Sequence, residues 1–256
     1  MRTSRILVGL ALCGAASVNS LAQIQLQPLW TLAPGSAPWL TTDNTQRGMD
    51  YNPVTGHLLL ANRAGGLSIV KIDANTGLDL GTLNLGAGVI VGGTYTGNML
   101  GVADDGAIYL GNLTLNSTTD PFKLYRWADE ISTPTLAFSG DPSPDIPIGG
   151  TSSKRFGDTL DVRGAGAGTQ VLLAARNEGN AAVLLTEDGL NFGGLGIDTD
   201  AGVAGSGSDI GLGLAFGEGN TFWGTALGRT LRHISVDVGV SPFAGTTVGN
   251  FEAADG

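Results

Sequence analysis

Of the 256 residues, 42 are Gly and 10 are Pro, about a fifth of the chain and below the roughly 25–30% that marks a disordered low-complexity sequence. With 42% hydrophobic and only 14% charged residues, there is ample apolar surface to bury, while Gly at this density excludes a helical bundle, where each interior Gly costs about 1 kcal/mol against Ala. The net charge of −10 opposes nucleic acid and anionic lipid surfaces as partners.

The chain opens with Arg2 and Arg5, an apolar stretch from Ile6 to Ala16 and the small-x-small site Ser20-Leu21-Ala22. Residues 1–22 therefore read as a signal peptide, and the protein is expected to be exported (periplasmic, outer surface or extracellular) after cleavage near Ala22. The apolar stretch is shorter than the roughly 20 residues of a membrane-spanning helix, and Gly and Asp interrupt every later apolar run, so no membrane span is expected. Cys13 is the sole cysteine; Leu12 before it argues against an acylated cysteine. The mature chain then has no disulfide, thiol nucleophile or thiolate metal site. Without Arg2 and Arg5, 11 basic and 23 acidic residues leave a charge of −12.

Four units of four short strands follow. The first runs GMDYNPVTG, HLLLANRAGG, LSIVKIDANTG, LDLGTLNL from Gly48; the second runs MLGVADDG, AIYLGNLT, FKLYRWAD, TPTLAFSG from Met99. The third reads DTLDVRGAGAG, TQVLLAARNEGN, AAVLLTEDG, LNFGGLGID from Asp158, and the fourth GLGLAFGEGN, TFWGTALGRT, LRHISVDVG, VSPFAGTTVGN from Gly211. Second strands start at His57, Ala107, Gln170 and Phe222, spacings of 50, 63 and 52 residues. The long interval holds a Pro-rich surface loop from Asp141 to Ser153. Four strands per unit at this period predict an all-β fold, a β-propeller with four four-stranded blades, and the period is too long for one coil of a β-solenoid. The domain is placed at 23–256, with blades near 43–92, 93–150, 151–204 and 205–250.

Turns such as Asn52-Pro53-Val54-Thr55-Gly56 and Asp104-Asp105-Gly106 supply the positive φ a hairpin needs. The second strands carry continuous apolar runs, as expected when both faces are covered by neighbouring blades. Trp127 and Trp223 are expected between blades. Leu26 to Leu32 reads as an outer strand donated to the last blade, whereas Asn250 to Gly256 supplies none. The expectation is a truncated chain from a larger ring, with further blades or self-association covering an open edge.

The stretch LWTLAPGSAPWLTTDNTQRGMDYNPVTGHLLLANRAGG, with GVADDGAIYLGNLT, FKLYRWADE, GDTLDVRGAG and GLGLAFGEGNTFWG, resembles a bacterial exported family of unknown function with a propeller-like domain, often found with PEP-CTERM sorting tails. The resemblance covers nearly all of residues 24–250 and implies no catalytic residue. HLLLANRAGGLSIVKIDANTG is more loosely similar to YVTN-type and quinoprotein-like propeller repeats, a likeness of fold rather than chemistry.

Catalytic signatures are sparse. His57 and His233 do not converge, and no G-x-S-x-G, H-E-x-x-H or P-loop string occurs. No cofactor is expected; the acidic turns Asp104-Asp105, Asp198-x-Asp200 and Asp73-Ala74-Asn75 offer oxygen ligands for a structural Ca²⁺ as the exception. Asp43, Asn44, Gln46, Arg47, Arg63, Lys154, Arg155, Asp158 and Arg176 all map to the rim formed by inter-blade loops and second-to-third-strand loops. Five of the 11 mature basic residues lie there, with Arg63 and Arg176 at equivalent positions of blades one and three. This rim is expected either to bind an anionic or hydroxyl-rich ligand such as an acidic glycan, with Arg donating bidentate hydrogen bonds, or to pair its Arg with neighbouring Asp and so orient loops. The sequence thus points to an exported, non-catalytic binding or scaffold module for an extracellular glycan or protein. A structural cell-surface or matrix component, and a lactonase-like or quinoprotein-like enzyme by fold analogy, are the alternatives.

Overall fold

A computed structural model describes residues 26–147, 153–204 and 207–252; the expected signal peptide lies outside them. Blade one is β1 (Gln46–Asn52), β2 (His57–Asn62), β3 (Ser68–Asp73) and β4 (Asp79–Thr82); blade two is β5 (Tyr95–Val102), β6 (Ile108–Leu113), β7 (Phe122–Trp127) and β8 (Thr135–Gly140). Blade three is β9 (Asp161–Arg163), β10 (Gln170–Ala174), β11 (Ala181–Thr186) and β12 (Phe192–Thr199). A short ribbon of β13 (Val203–Ala204) and β14 (Gly207–Ser208) leads into blade four: β15 (Gly213–Phe216), β16 (Thr221–Thr225), β17 (Leu231–Asp237) and β18 (Phe243–Phe251). Each blade is an antiparallel meander. Among the described residues the fold is a β-propeller with four four-stranded blades. Among the described residues no helix is long and apolar enough to cross a membrane.

The turns do what their residues require. In the first hairpin Gly56 takes φ 75° and donates to Asn52 O at 2.9 Å, while Asn52 Oδ1 accepts from Val54 N at 3.0 Å, a local bond that pre-sets the turn.

The second strands of blades one to three are covered on both faces. Leu59 and Ala61 of β2 pack with Ile108, Leu110, Tyr125 and Trp127 of blade two. From the other face of β6, Tyr109 joins Phe122, Leu124, Val171 and Leu173 between blades two and three. Leu172 and Ala174, alternating with those residues on β10, meet Phe222 and Ile234 of blade four. Continuous apolar runs in sequence are therefore two period-2 faces, each owned by a different neighbour.

Backbone contacts lock the inner strands. Asp50 Oδ2 of β1 accepts from Val102 N of β5 at 2.7 Å, and the equivalent Asp161 Oδ2 of β9 accepts from Phe216 N of β15 at 2.6 Å. A Cβ at Gly48 would sit 2.2 Å from Leu100 N and 2.7 Å from Met99 Cα, so only Gly lets β1 lie this close to β5.

Three features depart from expectation or extend it. Residues 26–45 contribute no donated strand; Trp30 and Trp39 instead lie over the outer face of blade one, against Leu60, Val70 and Ile72. Trp30 Nε1 donates to Ala74 O at 2.9 Å, and Trp39 Nε1 to Asp79 Oδ2 at 2.7 Å. Trp127 is fully buried between blades as expected, whereas Trp223 alternates with the inward Phe222 and stacks on His233, with ring centroids 4.1 Å apart. Finally, β12 pairs in parallel with β18 through Ile197 and Phe243, Asp198 and Ala244, and Thr199 and Gly245. Blades three and four thereby form one eight-stranded sheet.

Candidate functional site

The residues placed on the rim by sequence do gather at one end of the blades. Arg63 N donates to Thr45 O, Arg176 N to Arg155 O and Ser117 N to Lys154 O, each at 2.8–2.9 Å. The loops after the second strands of blades one to three are thus each tied to a segment leading into a blade.

Most of these residues are engaged with the protein itself. Asp43 Oδ1 accepts from Thr41 Oγ1 (2.6 Å), Thr45 N (3.0 Å) and Thr45 Oγ1 (2.5 Å), bonds that hold its pKa below the ordinary value, the Thr41 hydroxyl foremost. Gln46 Nε2 donates to Trp39 O at 2.5 Å and bonds Asn62 Oδ1 at 3.3 Å. Lys154 is buried, its Nζ donating to Asp141 Oδ2 at 2.7 Å and Ser143 O at 2.5 Å. Asp158, also buried, receives Arg155 on both oxygens, at 2.5 and 2.7 Å, and Arg176 Nη1 at 3.3 Å. In this half of the rim, Arg orients a loop through a carboxylate.

Arg47 and Arg63 are different. Arg47 Nε and Arg63 Nη1 both donate to Asn98 Oδ1 at 3.1 Å, and Arg63 Nη2 donates to Asn44 O at 3.2 Å. The Arg63 guanidinium lies 3.8 Å from the Tyr95 ring centroid. Among the described residues neither guanidinium forms an ion pair within 4.0 Å. Burial first, and then the adjacent Arg47 charge, push the Arg63 pKa down, with Tyr95 and the Asp43 charge opposing. Asn98 is fully buried and its Nδ2 donates to Gly157 O at 2.7 Å, so one amide joins the two halves of the rim.

The contrast between the halves has a sequence origin. Three residues before Asp50 stands Arg47, whereas three before the equivalent Asp161 stands Asp158. The carboxylate that pairs with Arg176 is thus replaced by a second guanidinium beside Arg63. That reversal, together with a lone Asn in β5, was the available signal for Asn98 and the adjacent guanidinium pair.

Two further polar sites appear. Inner strands of all four blades line a cavity of about 270 Å³ that includes Asp50 and Asp161. Burial raises both pKa values above the ordinary aspartate value, because desolvation disfavours the charged form. At the opposite end of blade one, the buried Glu130 accepts from Asn52 Nδ2 at 3.0 Å and Thr55 Oγ1 at 2.5 Å, and faces His57 Nδ1 at 2.8 Å.

In each acidic turn considered for Ca²⁺, one aspartate bonds backbone amides. Asp73 Oδ1 accepts from Asn75 N and Thr76 N, Asp105 accepts from Ala107 N and Gly166 N, and Asp200 accepts from Thr247 N and Oγ1. Among the described residues no three His, Cys, Asp or Glu side chains are grouped to hold a metal ion.

No known family model matches this chain, and no curated protein sequence matches it. Its fold is similar to that of a DUF4623 family protein from Bacteroides eggerthii. The TM-score is 0.54 at 18% identity, covering 75% of this chain and 43% of that one. The chain therefore spans less than half the length of that neighbour. Similarity extends at TM-score 0.46 and 15% identity to the dihydro-heme d1 dehydrogenase NirN in complex with DHE, over 84% of this chain and 38% of that one. A Thermus thermophilus oxidoreductase described as a glucose dehydrogenase follows at 0.37 and 10% identity, over 83% and 85% of the two chains. At these identities the likeness is one of fold.

Proposed function

We propose that this protein is an exported, non-catalytic propeller whose rim binds an acidic extracellular glycan through Arg47 and Arg63. The observation carrying this reading is two adjacent guanidiniums held on one buried amide oxygen, with no carboxylate of the described residues within 4.0 Å of either and only the longer-range charge of Asp43 acting on Arg63, in a chain of net charge −10. Arg presents a planar fork of donors suited to carboxylate and sulfate groups, and holding both forks on Asn98 removes some of the ordering cost of binding. The basic start, apolar stretch and small-residue site of residues 1–22 support export, as does the resemblance to the exported family often found with PEP-CTERM tails.

Oligogalacturonate binding, measured by titration calorimetry at low and at physiological ionic strength, tests the reading. Wild type is expected to bind and to weaken with salt, and Arg63→Ala to lose about tenfold or more in affinity. Arg176→Ala should bind as wild type does, because its charge already faces Asp158. Unchanged binding in both Arg47→Ala and Arg63→Ala would overturn the proposal, as would an absence of binding by wild type.

A further inference from the structure

Blades three and four leave a space between them that pairs one–two and two–three fill with aromatic rings. Tyr125 and Trp127 fill the space between blades one and two, and Tyr109 and Phe122 that between two and three. Between three and four a cavity of about 260 Å³ remains. Leu172, Val183 and Ile197 form its wall on one side and Phe222, Val236 and Phe243 on the other. The Ile197–Phe243 pair belongs to the parallel ladder of β12 and β18, which closes the outer side with backbone hydrogen bonds.

One end of this apolar space is polar, with Arg163, Gln170, Asn220 and Thr221. Arg163 is held firmly. Its Nε donates to Gln170 Oε1 at 2.8 Å, its Nη1 to Gly217 O and Gly219 O at 3.2 and 2.9 Å, and its guanidinium lies 4.1 Å from the Phe216 ring centroid. All these partners are neutral. Among the described residues Arg163 forms no ion pair within 4.0 Å, and its Nη2 bonds no protein acceptor. Burial lowers its pKa, with the Asp161 charge opposing. A fixed, half-buried cation with a spare donor, opening on an apolar space, defines a ligand with a matching anionic end and an apolar body.

We propose that this cavity binds a small amphipathic carboxylic acid, its carboxylate on Arg163 and its hydrocarbon between blades three and four. Size follows from volume: a dry cavity of about 150 Å³ accommodates benzene, so this one suits a ligand of roughly ten non-hydrogen atoms. The site lies at the far end of β9 from the rim, and it stands or falls independently of glycan binding there.

Octanoate is the matching probe, titrated into the purified protein by calorimetry and followed by NMR of its ¹³C-labelled carboxyl. The expected result is one-to-one uptake by wild type, with acetate not binding and 1-octanol binding more weakly than octanoate. Arg163→Gln should weaken octanoate about tenfold or more while leaving 1-octanol unchanged. Val183→Phe, which takes up part of the cavity, should weaken octanoate binding without lowering the thermal transition. Failure of wild type to bind octanoate overturns the proposal. So does undiminished binding by a folded Val183→Phe variant, or equal octanoate affinity in wild type and Arg163→Gln.

Discussion

Glu130 offers the sharpest test of how blades one and two are held together. It sits after β7 in blade two, yet all three of its side-chain partners belong to the first hairpin of blade one. A carboxylate only accepts, so His57 Nδ1 carries the hydrogen it shares with Oε2. Glu130→Ala strands three donors unequally. Asn52 is 1% exposed and cannot recover a water, which costs about 2 kcal/mol. Thr55 is exposed and His57 half-buried; both rehydrate, adding about 1 kcal/mol together. The expected loss is therefore about 3 kcal/mol, read as a lowered urea midpoint at constant m. Glu130→Gln keeps one acceptor oxygen for Asn52 and Thr55 and gives up only the His57 contact, so its loss should be about 1 kcal/mol. An alanine variant within about 0.5 kcal/mol of wild type, the range of ordinary surface changes, would refute the reasoning. A glutamine variant as damaged as the alanine one would do the same.

Gly48→Ala drives a methyl group into the β5 backbone at Leu100. It should cost about 3 kcal/mol or more in chemical denaturation, and a neutral result would mean that β1 and β5 can separate freely. Asp50 and Asp161 carry a pH signature. Because burial raises their folded pKa values, their contribution to stability is fully present below the unfolded aspartate value and is lost as pH rises through the folded one. Asp50→Asn and Asp161→Asn do not ionise, so the stability difference should move in favour of the Asn variants as pH climbs from about 4 towards neutral. Denaturation across that range showing a flat or opposite trend would exclude the mechanism.

The four blades were legible because the hydrophobic period switches strand by strand and glycines fall at hairpin tips. Trp30 and Trp39 were not. Nothing local distinguishes an apolar segment that joins a sheet edge from one that lies across a sheet face, and the choice is made by the uncovered Leu60, Val70 and Ile72. Trp223 escapes a sequence reading for a related reason: its neighbour Phe222 takes the inward position, and a one-residue step in a strand changes faces. On the rim, counting blades was enough to bring the predicted Arg residues to one end. Whether each Arg meets a carboxylate depended on pairing lead-in segments with loops, which separates Arg176, on Asp158, from its counterpart Arg63, beside Arg47. The inter-blade cavity had no sequence signature, since it arises from the fit of two faces whose residues are individually ordinary.

The parallel ladder between β12 and β18 also has a dynamic consequence. Blades elsewhere meet through side chains and isolated backbone bonds such as Asp104 N to Gly164 O, which can separate contact by contact. Blades three and four share peripheral amide bonds, so neither can swing away without breaking the other's edge. They should protect their amides from solvent exchange as one cooperative unit.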